Sequence, residues 1–317
     1  MDVVTIGETM VLFTPERSPL MRYSESYSRK FGGAETNVAI GLSRLGHSTG
    51  WISRVGNDEF GKAMLSFIRG EGVDVTKVKT DANAPTGLYF KEVRSGEDVR
   101  VQYYRNDSAA SKLTLDELDE AYIARAKFLH ITGITPALSD NCYKAVLKAI
   151  TVAKQNNVTV VFDPNLRRKL WEEEKARAVL LEISGLADIV LPGVDEGHFM
   201  FGEVDPVKLG NLFLDHGAKL VVLKVGATGA YYFTETESKL VTGFKVKSVV
   251  DPVGAGDGFA AGLISGLLDN LSIKDAVKRG NAVGALQTQV QGDYEGLPDK
   301  EELERFMNAE IGEDILR

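Results

Sequence analysis

Short runs rich in β-branched residues alternate along the chain with longer stretches whose apolar positions recur every three or four residues. Residues 3–6 (Val-Val-Thr-Ile) read as a strand, 35–45 as an amphipathic helix, 49–55 as a strand and 61–71 as a helix. The rhythm resumes at 128–131. It continues with a helix at 140–156, strands at 159–162 and 189–191 separated by a helix around 171–184, a helix at 207–216, a strand at 220–224 and a helical stretch at 256–268. Strands joined through helices pair in parallel, because each crossover returns the chain to the same end of the sheet, and the helices cover both faces. The predicted architecture is α/β: a three-layer α/β/α sandwich with a mostly parallel central sheet, in one domain over residues 1–317.

Residues 86–107 break the pattern. Segments 86–93 and 98–105 read as paired strands with no helix between them, and Ser95-Gly96 supplies a turn, so they predict a β-hairpin. Residues 12–31 also lack a helical period, and they carry Tyr23 and Tyr27. Together, approximately 12–31 and 86–107 are expected to form a small antiparallel sheet serving as a lid. An apolar lid face needs cover, which predicts a homo-oligomer built through the lid.

Charge and composition narrow the partners. With 45 acidic and 37 basic residues the net charge is -8, and no cluster of Lys and Arg offers a nucleic acid its electrostatic footprint. The single cysteine, Cys142, allows no intrachain disulfide, no Cys-x-x-Cys or His-x-x-x-His spacing suggests structural zinc, and Cys142 reads as a buried apolar residue. No stretch approaches ~18 uninterrupted apolar residues, and the N-terminus opens on a strand pattern. The expectation is a cytoplasmic protein with no membrane partner, whose ligands are small molecules.

The candidate chemistry follows a segment, 244–250, that reads as extended, and lies at 251–263, Asp-Pro-Val-Gly-Ala-Gly-Asp-Gly-Phe-Ala-Ala-Gly-Leu. Glycines at a loop-to-helix junction let backbone N–H groups converge where the helix dipole favours negative charge. Asp257 beside Gly254, Ala255 and Gly256 suits phosphoryl transfer to an alcohol: the carboxylate accepts the hydroxyl proton and the amides stabilise the transferring group. The same aspartate would also serve as an ordinary helix cap, and spacing alone leaves both readings standing. No Gly-x-x-x-x-Gly-Lys-Ser/Thr loop and no Gly-x-Gly-x-x-Gly fingerprint is present, so neither a P-loop nor a dinucleotide site is indicated.

Segment 251–263 resembles the C-terminal signature of the ribokinase-like (PfkB) carbohydrate kinases, and 32–46 (Gly-Gly-Ala-Glu-Thr-Asn-Val-Ala-Ile-Gly-Leu-Ser-Arg-Leu-Gly) resembles their N-terminal one. Segments 56–61 and 70–74 also match, and the similarity runs to about Leu303. The resemblance implies ATP and Mg2+ as reaction partners, with K+ as a further ion. It implies Asp257 as the base, Gly254-Ala255-Gly256 as the anion hole, and Gly33, Ala34 and Asn37 as sugar contacts. Asp251 would support the loop and a monovalent cation site. Lys224, Gly226, Thr228 and Gly229, with Asn165 and Asn281, would meet the nucleotide. Where the family carries Asn-x-x-Glu, this chain has Gly193-Val-Asp-Glu196; Glu196 is expected to organise magnesium-bound water, and Asp195 or Asn165 to stand in for the absent amide.

Tyr89, Tyr103 and Arg105 fall in the hairpin, the last two spaced to share a sheet face. Arg105 and Arg167 together could grip a carboxylate, for which the guanidinium fork is suited. The segments around 103–111 and 163–167, and Asp293 as a further substrate-side acid, resemble those members of the family that phosphorylate 2-keto-3-deoxygluconate. That implies a sugar acid phosphorylated at its 6-hydroxyl. A fructokinase or other neutral-sugar kinase, and a non-catalytic sugar-binding regulator on the same scaffold, are the competing readings.

Overall fold

The computed structural model describes residues 1–16, 20–93 and 99–309. The strands are β1 (Val3–Ile6), β2 (Met10–Pro15), β3 (Tyr27–Gly32), β4 (Thr49–Gly56), β5 (Val78–Asp81), β6 (Leu88–Val93) and β7 (Val99–Tyr104). They continue with β8 (Phe128–Thr132), β9 (Thr159–Asp163), β10 (Ile189–Val190), β11 (Leu220–Lys224), β12 (Gly229–Phe233) and β13 (Ser238–Thr242). The helices are α1 (Ala34–Arg44), α2 (Glu59–Gly70), α3 (Glu120–Ala124), α4 (Ile134–Leu138), α5 (Asp140–Gln155) and α6 (Glu173–Leu186). After them come α7 (Val194–Phe201), α8 (Pro206–Asp215), α9 (Ala255–Leu268), α10 (Ile273–Gln287) and α11 (Lys300–Ala309).

The large sheet has nine strands in the order β13-β12-β11-β10-β9-β8-β1-β4-β5, parallel from β11 through β5, with β12 and β13 added antiparallel at one edge. Strand β1 lies between β4 and β8, pairing Val3 with Thr49 on one side and Phe128 on the other. Alternation along the strands divides the core in two. Val4, Val160, Phe162 and Val221 pack on the face carrying α5 and α6, whereas Val3, Val161 and Val222 pack on the face carrying α1, α9 and α10. This is the expected three-layer sandwich.

Two strand expectations need correction. The smaller sheet runs β3-β2-β6-β7, and β2 lies parallel to β6, with Val11 opposite Leu88, so the lid is not wholly antiparallel. Each central strand already has a sequence neighbour as its antiparallel partner, which leaves β2 and β6 to meet through a long crossover. The expected turn at Ser95-Gly96 lies outside the described residues. Residues 244–250, expected to be extended, form no strand. Cys142 is buried in α5 against the backbone carbonyls of Ala110 and Ser111. No described helix is long and apolar enough to cross a membrane.

Candidate active site

Several polar side chains stand at the C-terminal ends of the parallel strands: Glu8 after β1, Asp163 ending β9 and Lys224 ending β11. Open parallel sheets bind ligands at this edge, where the connections leave a crevice. Helices α1 and α9 begin there too. Gly254 caps α9 at φ +80°, and a Cβ at that position would stand 2.1 Å from the backbone oxygen of Asp293, so only glycine fits. The N–H groups of Gly256 and Asp257 fall in the first turn, where helix geometry supplies no carbonyl partner. That of Ala255, expected to belong to the same anion hole, turns back to the Pro252 carbonyl at 3.3 Å.

Asp257 sits in the first turn of α9, deep in the crevice but still partly open to it. Its Oδ2 accepts from Asn37 Nδ2 at 2.8 Å, a contact across the starts of α9 and α1. Burial raises its pKa from the ordinary 3.8 to about 7; the Asn37 hydrogen bond and Arg167 act the other way, and Asp163 and Asp293 add to the rise. A carboxyl poised there suits proton acceptance near neutrality.

Lys224 Nζ donates to Asp163 Oδ2 at 2.7 Å and reaches over the loop, 3.8 Å from where a Cβ on Gly256 would be. Burial disfavours its charge, but Asp163 and Glu196 outweigh that and keep it protonated. Asn165 adopts a left-handed backbone, φ +36°, with its N–H donating to Asp163 Oδ1 at 3.2 Å. Glu196 accepts from the N–H groups of Leu166 (3.0 Å) and Gly193 (2.7 Å), tying together the loops after β9 and β10.

On the lid side Tyr89 and Tyr103 stack, with centroids 5.6 Å apart, and the Arg105 guanidinium lies 5.5 Å from the Tyr103 centroid. Arg105 pairs with Glu8 at 2.5 Å, and Ser108 donates to the other Glu8 oxygen at 2.5 Å. Tyr89 donates to Asp293 Oδ2 at 2.6 Å.

Two cavities meet at the α9 start. One, of ≈ 400 Å³, is polar and opens between the lid and α1; the other, of ≈ 340 Å³, is walled by Phe244, Val246, Val249 and Phe259. They share Lys224, Pro252 and Gly256, and Asp257 faces the first. An acceptor in one and a nucleotide in the other would meet between a base and an anion hole. The pfkB family carbohydrate kinase pattern matches residues 1–300. The chain belongs to the pfkB family of carbohydrate kinases.

Relatives within the family span more than one sugar. The chain is 43% identical over 312 residues to the 2-dehydro-3-deoxygluconokinase of Bacillus subtilis (strain 168), covering 98% of this chain and 96% of that one. It is 33% identical over 320 residues to "Probable fructokinase-7" of Arabidopsis thaliana, covering 97% and 92%. The crystal structure of aminoimidazole riboside kinase from Salmonella enterica, complexed with aminoimidazole riboside and an ATP analog, matches with a TM-score of 0.85 at 25% identity, covering 97% and 100%.

For a pfkB kinase read from its sequence, the expected residues largely converge. Gly33, Ala34, Asn37, Tyr89, Tyr103, Arg105, Asn165, Arg167, Glu196, Gly254, Asp257 and Asp293 line the polar cavity, while Gly226, Gly229, Ala255 and Asn281 line the apolar one. Thr228 does not: it is exposed on the turn before β12 and lines neither cavity. Asp251 is buried beneath the loop, and the cation on its Oδ2 is the chain's own Lys91, at 2.8 Å. Lys91 and Glu8 are the site residues that the sequence reading missed. Lys91 is two positions from Tyr89 on a strand, and that spacing alone puts both on the cleft face.

Proposed function

We propose that this pfkB kinase transfers the γ-phosphoryl group of ATP to the 6-hydroxyl of 2-dehydro-3-deoxy-D-gluconate. The observation that carries the reading is Asp257, with its pKa near 7, beside the junction of the two cavities and opposite Lys224. As the hydroxyl oxygen bonds to the γ-phosphorus, Asp257 takes its proton. The bond from that phosphorus to the β,γ-bridging oxygen breaks, and its electron pair leaves on ADP. The other product is the 6-phosphate. The amides of Gly256 and Asp257 and the Lys224 ammonium stabilise the charge on the phosphoryl oxygens in flight. The adenine side belongs in the cavity walled by Phe259 and Val249, with Asn281 holding its floor through hydrogen bonds to the carbonyls of Val241 and Thr242.

Mg2+ suits this site as an ion carried by the phosphates. Among the described residues no group of three or more His, Cys, Asp or Glu side chains is arranged to hold a metal, and Glu196 already accepts two backbone N–H groups. Glu196 would hold the ion through water rather than directly, since Mg2+ needs few protein ligands when phosphates supply the rest. Bound Mg2+ would neutralise charge on the β- and γ-phosphates.

The acceptor assignment rests on two guanidinium groups, Arg105 and Arg167, lining a polar cavity. Glu8 fixes one end of Arg105, whose Nε is buried with no partner among the described residues, so the fork is oriented but not saturated. A sugar acid supplies an anionic partner for the two guanidinium groups; fructose offers only neutral oxygens. The B. subtilis relative, named for the keto-deoxy acid, supports the same choice. Lid closure would exclude water from the phosphoryl group, and pairing of lids between two copies would give a homo-oligomer. The retained Asp257 and anion hole speak against a non-catalytic regulator. The test is ADP release with 2-keto-3-deoxygluconate, fructose, ribose and gluconate. The keto-deoxy acid should exceed the others in kcat/KM by roughly tenfold or more; fructose turning over equally well would overturn the assignment.

A further inference from the structure

Behind the anion-hole loop lies a buried charge cluster that the reaction as described does not use. Lys91 projects from the lid strand β6, and its side chain is 1% exposed. Its Nζ donates to Asp251 Oδ2 at 2.8 Å and Asp293 Oδ1 at 2.7 Å. Asp251 opens the loop: its Oδ1 accepts from the Val253 N–H at 3.1 Å, and its Oδ2 also accepts from the Gly292 N–H at 3.1 Å. Asp293 closes it from the other side, because its backbone oxygen is what forbids a side chain on Gly254. One ammonium therefore joins the first residue of the loop, the residue that wedges its glycine turn, and the lid.

The family resemblance led to the expectation of a monovalent cation at Asp251, and the residues present do not fit one. Both Asp251 oxygens are engaged, and an ion added to Oδ2 would face the Lys91 ammonium at contact distance. Burial opposes the charge on Lys91, but the Asp293 field and the hydrogen bonds to both carboxylates outweigh it, so the group stays protonated. Two buried carboxylates need a counter-charge, and the chain supplies it covalently.

We infer that Lys91 is a tethered cation that replaces a dissociable monovalent ion, holding the anion-hole loop in register and making this kinase independent of K+. Lys91 acts through Asp251 and Asp293, so it is a positioning residue. The inference rests on the kinase reading but not on the identity of the sugar, and one of its readouts needs no turnover.

The experiment measures melting temperature and ADP release, with whichever acceptor turns over best, for the wild type and Lys91→Met. Choline chloride, KCl and NH4Cl are compared at equal ionic strength. For the wild type, both readouts should be the same in all three salts to within about twofold in rate and 1 °C in melting temperature. For Lys91→Met, melting should rise by about 2–4 °C in KCl or NH4Cl over choline, as expected when an ion binds only the folded state. Its rate, down roughly a hundredfold in choline, should recover at least partly in the same salts. Activation of the wild type by K+ of roughly tenfold or more would overturn the inference, even if Lys91→Met failed to fold. So would a folded variant that is fully active in choline, or one whose melting ignores every ion.

Discussion

Asp257 combines reactivity and cost in one side chain. A base with a pKa of about 7 must lose its proton to work, so kcat/KM should fall about tenfold per pH unit below that value and level off above it. The same shift has a stability consequence. Between the ordinary 3.8 and about 7 the folded protein holds a proton that the unfolded chain has released, so folding is progressively penalised as pH rises through that window. Asp257→Asn removes the penalty; thermal melts should show the variant more stable than wild type at pH 8, by up to a few kcal/mol, and alike near pH 4. Arg105→Ala should raise KM for the sugar acid about tenfold to a hundredfold and leave KM for ATP unchanged, as steady-state kinetics would show. Asp257, Asn37 and both arginines were legible because they fall inside motifs. Glu8 and Lys91 were not, because a charged residue in a loop, as Glu8 is, or on a short strand, as Lys91 is, reads as solvated until the opposing guanidinium and carboxylates are in place.

Helices α1 and α9 carry the site between them, and their closeness depends on small residues. A Cβ on Gly41 would lie 2.9 Å from the Cβ of Ala261, well inside normal contact. Gly41→Ala should therefore push α1 off α9, costing about 1–3 kcal/mol in urea unfolding and lowering kcat by loosening the 2.8 Å contact from Asn37 to Asp257. The helices that were read came within a residue or two at each end, α5, expected at 140–156, running Asp140–Gln155, while α3, α4, α7 and α11 went unread. Helix α10 escaped notice because Gly280, Asn281 and Gly284 interrupt its period, although Gly280 and Gly284 admit α9 and Asn281 and Gly284 line the apolar cavity. The β12–β13 hairpin escaped for a related reason: β13 is mostly exposed and offers little apolar alternation. The parallel pairing of β2 and β6 follows from tertiary contact alone, which local pattern does not encode.

At the scale of the molecule, the alternation of strands and helices was written in the sequence for most of the large sheet, and what it left open was the β12–β13 edge and how the two sheets face each other across the cleft. The smaller sheet reaches the loop before α9 through the contacts of Tyr89 and Lys91 with Asp293 and Asp251, so the polar cavity and that loop form one connected unit. His130, buried in β8, is pushed down to about 4 by burial, so the unfolded chain takes up its proton near 6.5, before the folded one does. Stability should then fall as pH drops through that interval, and His130→Leu should shift the acid-unfolding midpoint to lower pH. The central claim is that Asp257 is the base at the meeting of two cavities. Its most direct test is ADP release by Asp257→Asn at saturating ATP and sugar acid, with nucleotide binding measured alongside. The rate should drop by roughly 10²–10⁴ with ATP affinity unchanged; a variant that turns over at nearly the wild-type rate would reduce Asp257 to a helix cap and contradict the account.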